Sequence, residues 1–490
     1  MKTENIMPQY QSFLSDESQL SGYSNDIVFA SNINDICDIL KQVNKEGNTV
    51  TVQGARTGVV GGAVPQGGLV LNLSKMNQIR DKTQNEKSSI LRVQAGVTLE
   101  QIEEAANADN LFFAPNPTEP TATIGGIFAS NALGPNSLFY GASSTHIQAL
   151  SWITPKGERW ALARGDYRFK ANKCLLPDGT EIVIPADLQH SPVKIFDESM
   201  DLIDFLAGSE GALGLAAEFE LRLLPLPKEI WGVVYFFSKP EQASAFAKKL
   251  FEWNNNEHHA ALTAAEFYDQ GVLELIDASR QDCTLLKALP PFPANVSTAI
   301  YTELFGDDSD LLEEALMQHL DYFSDVGGKE ENTWAESGFS SIRRFRELRH
   351  AIPSLLNEMV TPGLKNQEKR WETDFSGSPE MFDDFLKTYN QALSDFGLKG
   401  LIYGHVLQNK MHLALLPETT EQQSICKDLV YEISQWVMQN DGFLITENGI
   451  GLLKQSLVHD FMPPMVWAAI EKIRLHFDPN KTMKYPRKVE

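Results

Sequence analysis

The stretch VQGARTGVVGGAVP, Val52 to Pro65, limits what this chain can fold into more than any other. A short β-branched run, NTVTVQG, leads straight into glycines at 54, 58, 61 and 62. Glycine lets the main chain turn sharply and bring its N–H groups close to a ligand. A strand emptying into such a loop therefore makes either an anion cradle or a hairpin turn. The loop lacks the G-K-[ST] close of a Walker A motif and the spacing of G-x-G-x-x-G. Thr57 would add a hydroxyl donor to a cradle.

Two later stretches favour the cradle. PNPTEPTATIGGIFASNALGPNSLFYG, Pro115 to Gly141, is dense in Gly, Pro, Thr and Asn and reads as one long loop. Loops of that length inside a compact domain are usually functional. GSEGALG, Gly208 to Gly214, is a third small-residue turn, followed by the strand-like LAAEFELRLLPLP. Three such turns suit main-chain wrapping around an extended ligand such as a dinucleotide.

The surrounding pattern alternates helix and strand. SNINDICDILKQVNKEG (Ser31 to Gly47) spaces Ile33, Ile36, Ile39 and Leu40 as a helix, with Ser or Asn available as cap. GGLVLNLSKM and SSILRVQAGVTL read as strands, and TLEQIEEAANADN as a helix ending near Asn110. Near Pro227 the register changes to strand, helix, strand, helix, as in an antiparallel sheet with helices on one side. KPEQASAFAKKLFEWNN and GDDSDLLEEALMQHL are helices of this half, and SGFSSIRRFRELRHAIPSLLNEM is a long helix broken or kinked at Pro353. A chain of 490 residues exceeds one ordinary core, which places domains at 1–227 and 228–490.

A formal net charge of −23 makes nucleic acid and anionic lipid poor partners. Cys37, Cys174, Cys283 and Cys426 are widely spaced, against a structural zinc site, an iron–sulfur cluster or a disulfide framework. No run reaches the roughly 18 apolar residues of a membrane span, and the first residues carry no signal-peptide core. The expectation is a soluble, cytoplasmic protein, with peripheral association at the inner membrane left open.

GARTGVVGGAVP, PNPTEPTATIGGIFASNALG…YG and GSEGALG, in that order, resemble the flavin-binding domain of the vanillyl-alcohol-oxidase type. More narrowly, residues 20 to 490 are similar to the branch holding the glycolate oxidase subunit, D-lactate dehydrogenase and D-2-hydroxyglutarate dehydrogenase. The resemblance implies an α+β chain: an FAD-binding domain of the PCMH type in two parts, then an antiparallel sheet-plus-helices substrate domain. A C-terminal segment would return to the FAD domain. Gly54, Ala55, Arg56, Thr57 and Gly58 would hold the pyrophosphate of FAD, with Gly61 also binding the cofactor. Pro117, Thr118, Thr123, Gly125, Gly126, Asn131, Gly141, Gly208, Glu210 and Gly214 would line the rest of the cofactor. Relatives with covalent flavin often carry a histidine in the first loop. Arg56 and no histidine stands here, which implies noncovalent FAD.

YGHVLQNKMHLALLP, Tyr403 to Pro417, carries two histidines in a segment that reads as a hairpin. With a loop at Leu407 to Lys410, His405 would oppose His412, their Cβ atoms roughly 4.5–5.5 Å apart. Such a pair can bind one divalent ion or can sit half-exposed on a hairpin. Glu447, in LITENGIGLL at the end of an apolar strand, would complete a set of two histidines and one carboxylate. The family reads G-H-x-G-D-G-N-L-H and E-H-G-I-G at these places, which puts His405, His412 and Glu447 on its ligands for zinc or manganese. Two departures stand out: the turn interior is Leu407-Gln408-Asn409-Lys410, and the family's second histidine is Asn448. An amide donates and accepts hydrogen bonds but takes no proton. The family's closing D-P-x-x-x-x-N-P-G-K is also altered, at Tyr485 and Arg487.

RRFRELRHAIP packs Arg343, Arg344, Arg346 and Arg349 into an acidic chain, by default as a solvated helix face. The resemblance places Arg349 on the residue that grips the substrate carboxylate, a task suited to a planar guanidinium. Dicarboxylate-specific relatives add a lysine near Glu372. The carboxylate here, with Lys369 and Arg370 close by, favours a monocarboxylic acid. The expected activity is FAD-dependent, metal-assisted oxidation of a D-2-hydroxy acid, with Arg349, His405 and Asn448 at the reacting centre. A quinone, flavoprotein or cytochrome would take the electrons, and a homodimer is left open. The rivals are a metal-independent flavin oxidoreductase for another alcohol or sugar acid, and a flavin-binding subunit without catalysis.

Overall fold

The computed structural model describes residues 8–84, 89–193, 196–256, 260–281, 283–359 and 371–484. Lys369, Arg370, Tyr485 and Arg487 lie outside them. The chain divides into two compact units. One comprises residues 1–134, 141–226 and 447–490; the other comprises 135–140 and 227–446.

The first unit holds two main sheets. Strands β1 (Asp26–Phe29), β2 (Val50–Gln53) and β3 (Leu69–Asn72) form a parallel sheet in the order β1-β3-β2. The helix Ile33–Glu46 between β1 and β2 is capped by Asn32, whose side chain accepts from Asp35 N, and ends at left-handed Gly47. Such an N-cap contributes about 1 kcal/mol. The second sheet is antiparallel. It joins β4 (Ile79–Gln84), β5 (Ser89–Gln94), β7 (Ile147–Ile153), β8 (Arg159–Ala163) and β11 (Leu215–Pro225) in the order β4-β5-β11-β7-β8. The short β6 (Leu111–Phe112) pairs with β11, and β9 (Lys173–Leu175) with β10 (Glu181–Val183). Residues Pro115 to Gly141, expected as one long loop, fold in part: Ile124–Ser130 is helical, as is Ser137–Tyr140, which counts with the second unit. Thr123 caps the first of these, and the Ile-Gly-Gly-Ile-Phe run buries Ile124, Ile127 and Phe128.

The second unit is built on a seven-stranded antiparallel sheet. Its strands are β12 (Glu229–Phe237), β13 (Ala261–Tyr268), β14 (Thr298–Gly306), β15 (Thr333–Ser337), β16 (Phe375–Ser376), β17 (Gly400–His405) and β18 (Lys410–Leu415). Their order is β15-β12-β14-β13-β17-β18-β16. The expectation of helices on one side is corrected here, because they cover both faces. Tyr235 meets Phe246 and Phe323 of the helices Pro240–Asn254 and Ser309–Asp325. Its neighbour Phe236 points to the opposite face and packs on Trp334, which stacks on Phe345 of the helix Phe339–Met359. Double cover explains why β13 and β14 are buried along almost their whole length instead of alternating.

The helix Phe339–Met359 runs unbroken through Pro353, so of the expected break or kink the break does not occur. Proline inside a helix costs about 3 kcal/mol. Ile352, Leu355 and Leu356 on either side of it are buried in the same apolar cluster as Tyr268, Tyr301 and Tyr403, and this packing offsets the cost.

Candidate active site

In the first unit β2 delivers the glycine loop, and Gln53 fixes the base of that loop. Its buried amide donates to Phe13 O at 2.8 Å and Ala63 O at 2.7 Å. Gly54 lies against the capping Thr123, so closely that a Cβ would overlap the threonine hydroxyl. Two segments singled out in the sequence thus meet there. Arg56 is left-handed (φ 65°), donates to Ser12 O at 2.6 Å and places its guanidinium 4.1 Å from the Phe13 ring centroid. It anchors the loop to the segment Pro8–Leu14. Gly125 packs on Ala95 and donates to its carbonyl at 2.9 Å, so its smallness serves close packing on the end of β5.

The end of the helix Ile124–Ser130 receives the third turn. Gly208 N donates to Phe128 O and Glu210 N to Ala129 O, and Gly208 sits beside Asn131. Glu210, itself left-handed, accepts from Ile450 N at 2.7 Å and Gly451 N at 2.9 Å, and burial raises its carboxyl pKa. Through Glu210 the C-terminal segment with Glu447 and Asn448 joins this cluster. Gly214 packs on Ile153 and Trp152. Pro117 is buried, Thr118 is half-buried beside it, and Gly141 makes a left-handed turn at φ 78°.

Whether FAD fits this unit is tested at Gly58 and Gly62. Neither has a positive φ, and a Cβ added at either would touch nothing within 4 Å. The fold itself gives no reason for glycine at these two places. Open room beside an exposed main chain is what a ligand lying along the backbone requires, and the loop fits the cofactor on that ground.

In the second unit one face of the sheet carries buried charge under the helix Phe339–Met359. Glu303 on β14 is fully buried and receives Arg346 bidentately, Nε at 2.7 Å and Nη2 at 2.6 Å, while Tyr301 donates to it at 2.7 Å. One turn further along the helix, Arg349 is 8 % exposed. Its Nε lies 3.6 Å from Glu266 Oε2 on β13, and its guanidinium sits 5.1 Å over the Tyr403 ring. The arginine run is therefore no solvated face at these two positions. His350, also in this helix, is pushed down to about 4 by burial and by Arg349 and Arg346.

The hairpin register differs from expectation. Val406–Gln408 form a single 3₁₀ turn closed by left-handed Asn409, so the loop ends one residue earlier than the spacing suggests. His405 pairs with Lys410, and His412 pairs with Tyr403. The slip is two residues, one full period of a strand, so both imidazoles keep the same face as diagonal neighbours. Gly404 permits it: its φ is 144°, and a Cβ would strike the Lys410 carbonyl.

Each histidine is fixed through Nδ1. His405 Nδ1 lies 2.5 Å from Glu266 Oε1, and His412 Nδ1 lies 3.0 Å from Thr373 O. A carbonyl only accepts, so His412 carries its proton on Nδ1, and the carboxylate favours the same tautomer in His405. Outer partners of this kind are typical of metal-ligating histidines, and on this ground the two side chains fit a divalent ion. Glu447 belongs to the other unit, and no strand precedes it: residues 444–446 are irregular. Among the described residues no three His, Cys, Asp or Glu side chains gather closely enough to hold a metal. Glu372 accepts the Tyr403 hydroxyl.

Glu266 and Glu303 were missed in the sequence reading. The signal was a lone acid inside an apolar strand, LTAAEFY and AIYTELFG, which in a doubly covered sheet must be paired.

The family model of the FAD binding domain matches residues 25–163, and that of the C-terminal domain of FAD linked oxidases matches residues 226–489. The chain is 24% identical to a D-lactate dehydrogenase of Anaerostipes hadrus, over 96% of this chain and 91% of that protein. A D-lactate dehydrogenase of Archaeoglobus fulgidus is also 24% identical, over 94% and 90%. A D-2-hydroxyglutarate dehydrogenase of Pseudomonas putida is 24% identical over 89% of this chain, which spans only 45% of that longer protein. Among solved structures, an alkyldihydroxyacetonephosphate synthase shares the fold with a TM-score of 0.61 at 12% identity, covering 93% of this chain and 76% of that one. No helix among the described residues is long and apolar enough to cross a membrane.

Proposed function

Since the chain belongs to the FAD-linked oxidases, we propose that it oxidises a D-2-hydroxy acid of the D-lactate type to the 2-keto acid. The observation that carries this reading is the arrangement on one sheet face: His405 and His412 held through Nδ1, and Arg349 buried over Tyr403. The names of the relatives support it at the level of substrate class. Arg349 binds the substrate carboxylate, and Glu372 disfavours a second one. His405 and His412, with Glu447 as the expected carboxylate, would be the residues to hold a divalent ion, zinc or manganese. The glycine loop would hold FAD noncovalently, which would supply the hydride acceptor, and a divalent ion would supply Lewis-acid help to loss of the hydroxyl proton. Asn448 orients the hydroxyl by hydrogen bonding, and the proton goes to a group other than this amide. A quinone, a flavoprotein or a cytochrome would take the electrons.

Anaerobic addition of D-lactate to purified protein, with flavin absorbance and metal content read on one sample, tests the proposal. Flavin bleaching with formation of pyruvate, on protein carrying near-stoichiometric zinc or manganese, is expected. A flavin left oxidised by both enantiomers of lactate and of 2-hydroxyglutarate would overturn it. Asn448 favours a second reading, metal-independent oxidation of another alcohol or sugar acid. Under that reading the flavin is reduced by such a substrate in protein stripped of metal.

A further inference from the structure

We propose that Glu266 is the positioning residue of the substrate face, holding His405 and Arg349 through its two carboxylate oxygens. The inference rests on the reading of His405 and Arg349 given above. Glu266 sits on β13, directly opposite His405 in the ladder, and is fully buried. Oε1 takes the imidazole at Nδ1 (2.5 Å), and Oε2 faces the Arg349 Nε at 3.6 Å. One group therefore hydrogen-bonds a side chain from strand β17 and pairs by charge with one from the long helix.

The neighbouring pair shows that this arrangement differs from an ordinary buried clamp. Glu303 is equally buried on the same face, yet both its oxygens are used by a single guanidinium, with Tyr301 as a further donor. That pair joins helix to sheet. In Glu266 the two oxygens are divided between two different side chains. The division ties the tautomer and ring orientation of His405 to the position of the arginine, so metal-side and carboxylate-side contacts to one small substrate are set by a single residue. An unpaired carboxylate at this depth would be costly, and these two groups supply the pairing.

The test uses the FAD-loaded full chain with Glu266→Gln and, as a control matched for burial and charge, Glu303→Gln. Removing an outer partner of a ligating histidine typically costs 10- to 100-fold in activity. E266Q is expected to lower kcat for flavin reduction by D-lactate about 10- to 100-fold, with a rise in KM from the loosened Arg349. E303Q is expected to lower the melting temperature at least as much while keeping kcat within about threefold. The ¹⁵N spectrum of histidine-labelled protein should show His405 as one tautomer in the wild type and as a mixture in E266Q. E266D, which keeps the charge, should recover part of kcat, and it carries the same test if E266Q does not fold. Wild-type kcat and a single tautomer in E266Q would overturn the inference, as would an equal loss of kcat in E303Q. If the wild type is reduced by no 2-hydroxy acid, the functional reading falls, and the tautomer comparison still decides the role of Glu266.

Discussion

The glycine loop of the first unit and the charged sheet face of the second are built by opposite means. At the loop the tools are main-chain groups and empty space: Gly54 against Thr123, Gly58 and Gly62 beside open room. On the sheet face they are the buried side chains His405, His412 and Arg349, with Glu266 beside two of them and Thr373 O holding the third, next to the Glu303–Arg346 clamp that joins helix to sheet. The first kind of site tolerates sequence drift as long as residues stay small. The second depends on ladder register, and one wrong partner leaves a charge buried without compensation.

The largest effect expected from this contrast is on stability in the second unit. Arg346→Ala strands Glu303, and removing one member of a buried pair costs about 3–5 kcal/mol. Chemical unfolding should show that loss, and a change under about 1 kcal/mol would mean that water reaches Glu303. Next comes His405→Ala. Equilibrium dialysis should find zinc affinity lowered by more than the roughly 100-fold that loss of an outer partner costs, with the flavin spectrum and FAD stoichiometry unchanged. Loss of FAD in this variant would break the separation between the two sites.

Gly54→Val should act in reverse. A side chain there collides with Thr123, and the overpacking cost of about 1–3 kcal/mol should appear as FAD bound about 5- to 150-fold more weakly. Zinc affinity should hold. The smallest effect concerns pH. Asp269 accepts from Val272 N and Ile402 N, and burial raises its carboxyl from 3.8 to about 7. The folded state thus keeps a proton that the unfolded chain releases, so this residue stabilises the fold below about pH 4 and that contribution is lost as pH rises through 7. Asp269→Asn should flatten the change in melting temperature between pH 5 and pH 8. An unchanged slope would assign it to other groups.

The same contrast governs what could be read from the sequence. Glycines and small residues announce themselves by composition, and the helix Ile33–Glu46, with Asn32 and Gly47 at its ends, is visible in spacing alone. The pairing of Gly54 with Thr123 is not, since it joins residues distant in the chain. On the sheet face the residue types were legible and their partners were not. His412 opposite Tyr403 depends on a turn closed at Asn409 and a strand allowed by Gly404. Glu266 carries no local signal beyond its apolar neighbours, and the helix cover that makes its charge consequential comes from residues far along the chain. The unbroken helix at Pro353 has the same origin, because packing on the sheet outweighs a local preference.

The first unit is assembled from separated stretches of chain. Val50 N donates to Thr482 O and Lys484 N to Val50 O, so strand β2, which delivers the glycine loop, gains its last neighbour at residues 482–484. During synthesis that neighbour emerges only after all 220 residues of the span 227–446. The second unit can collapse on the ribosome while the first still waits for its closing piece. A truncation near residue 480 would therefore strike strand β2, made more than 400 residues earlier.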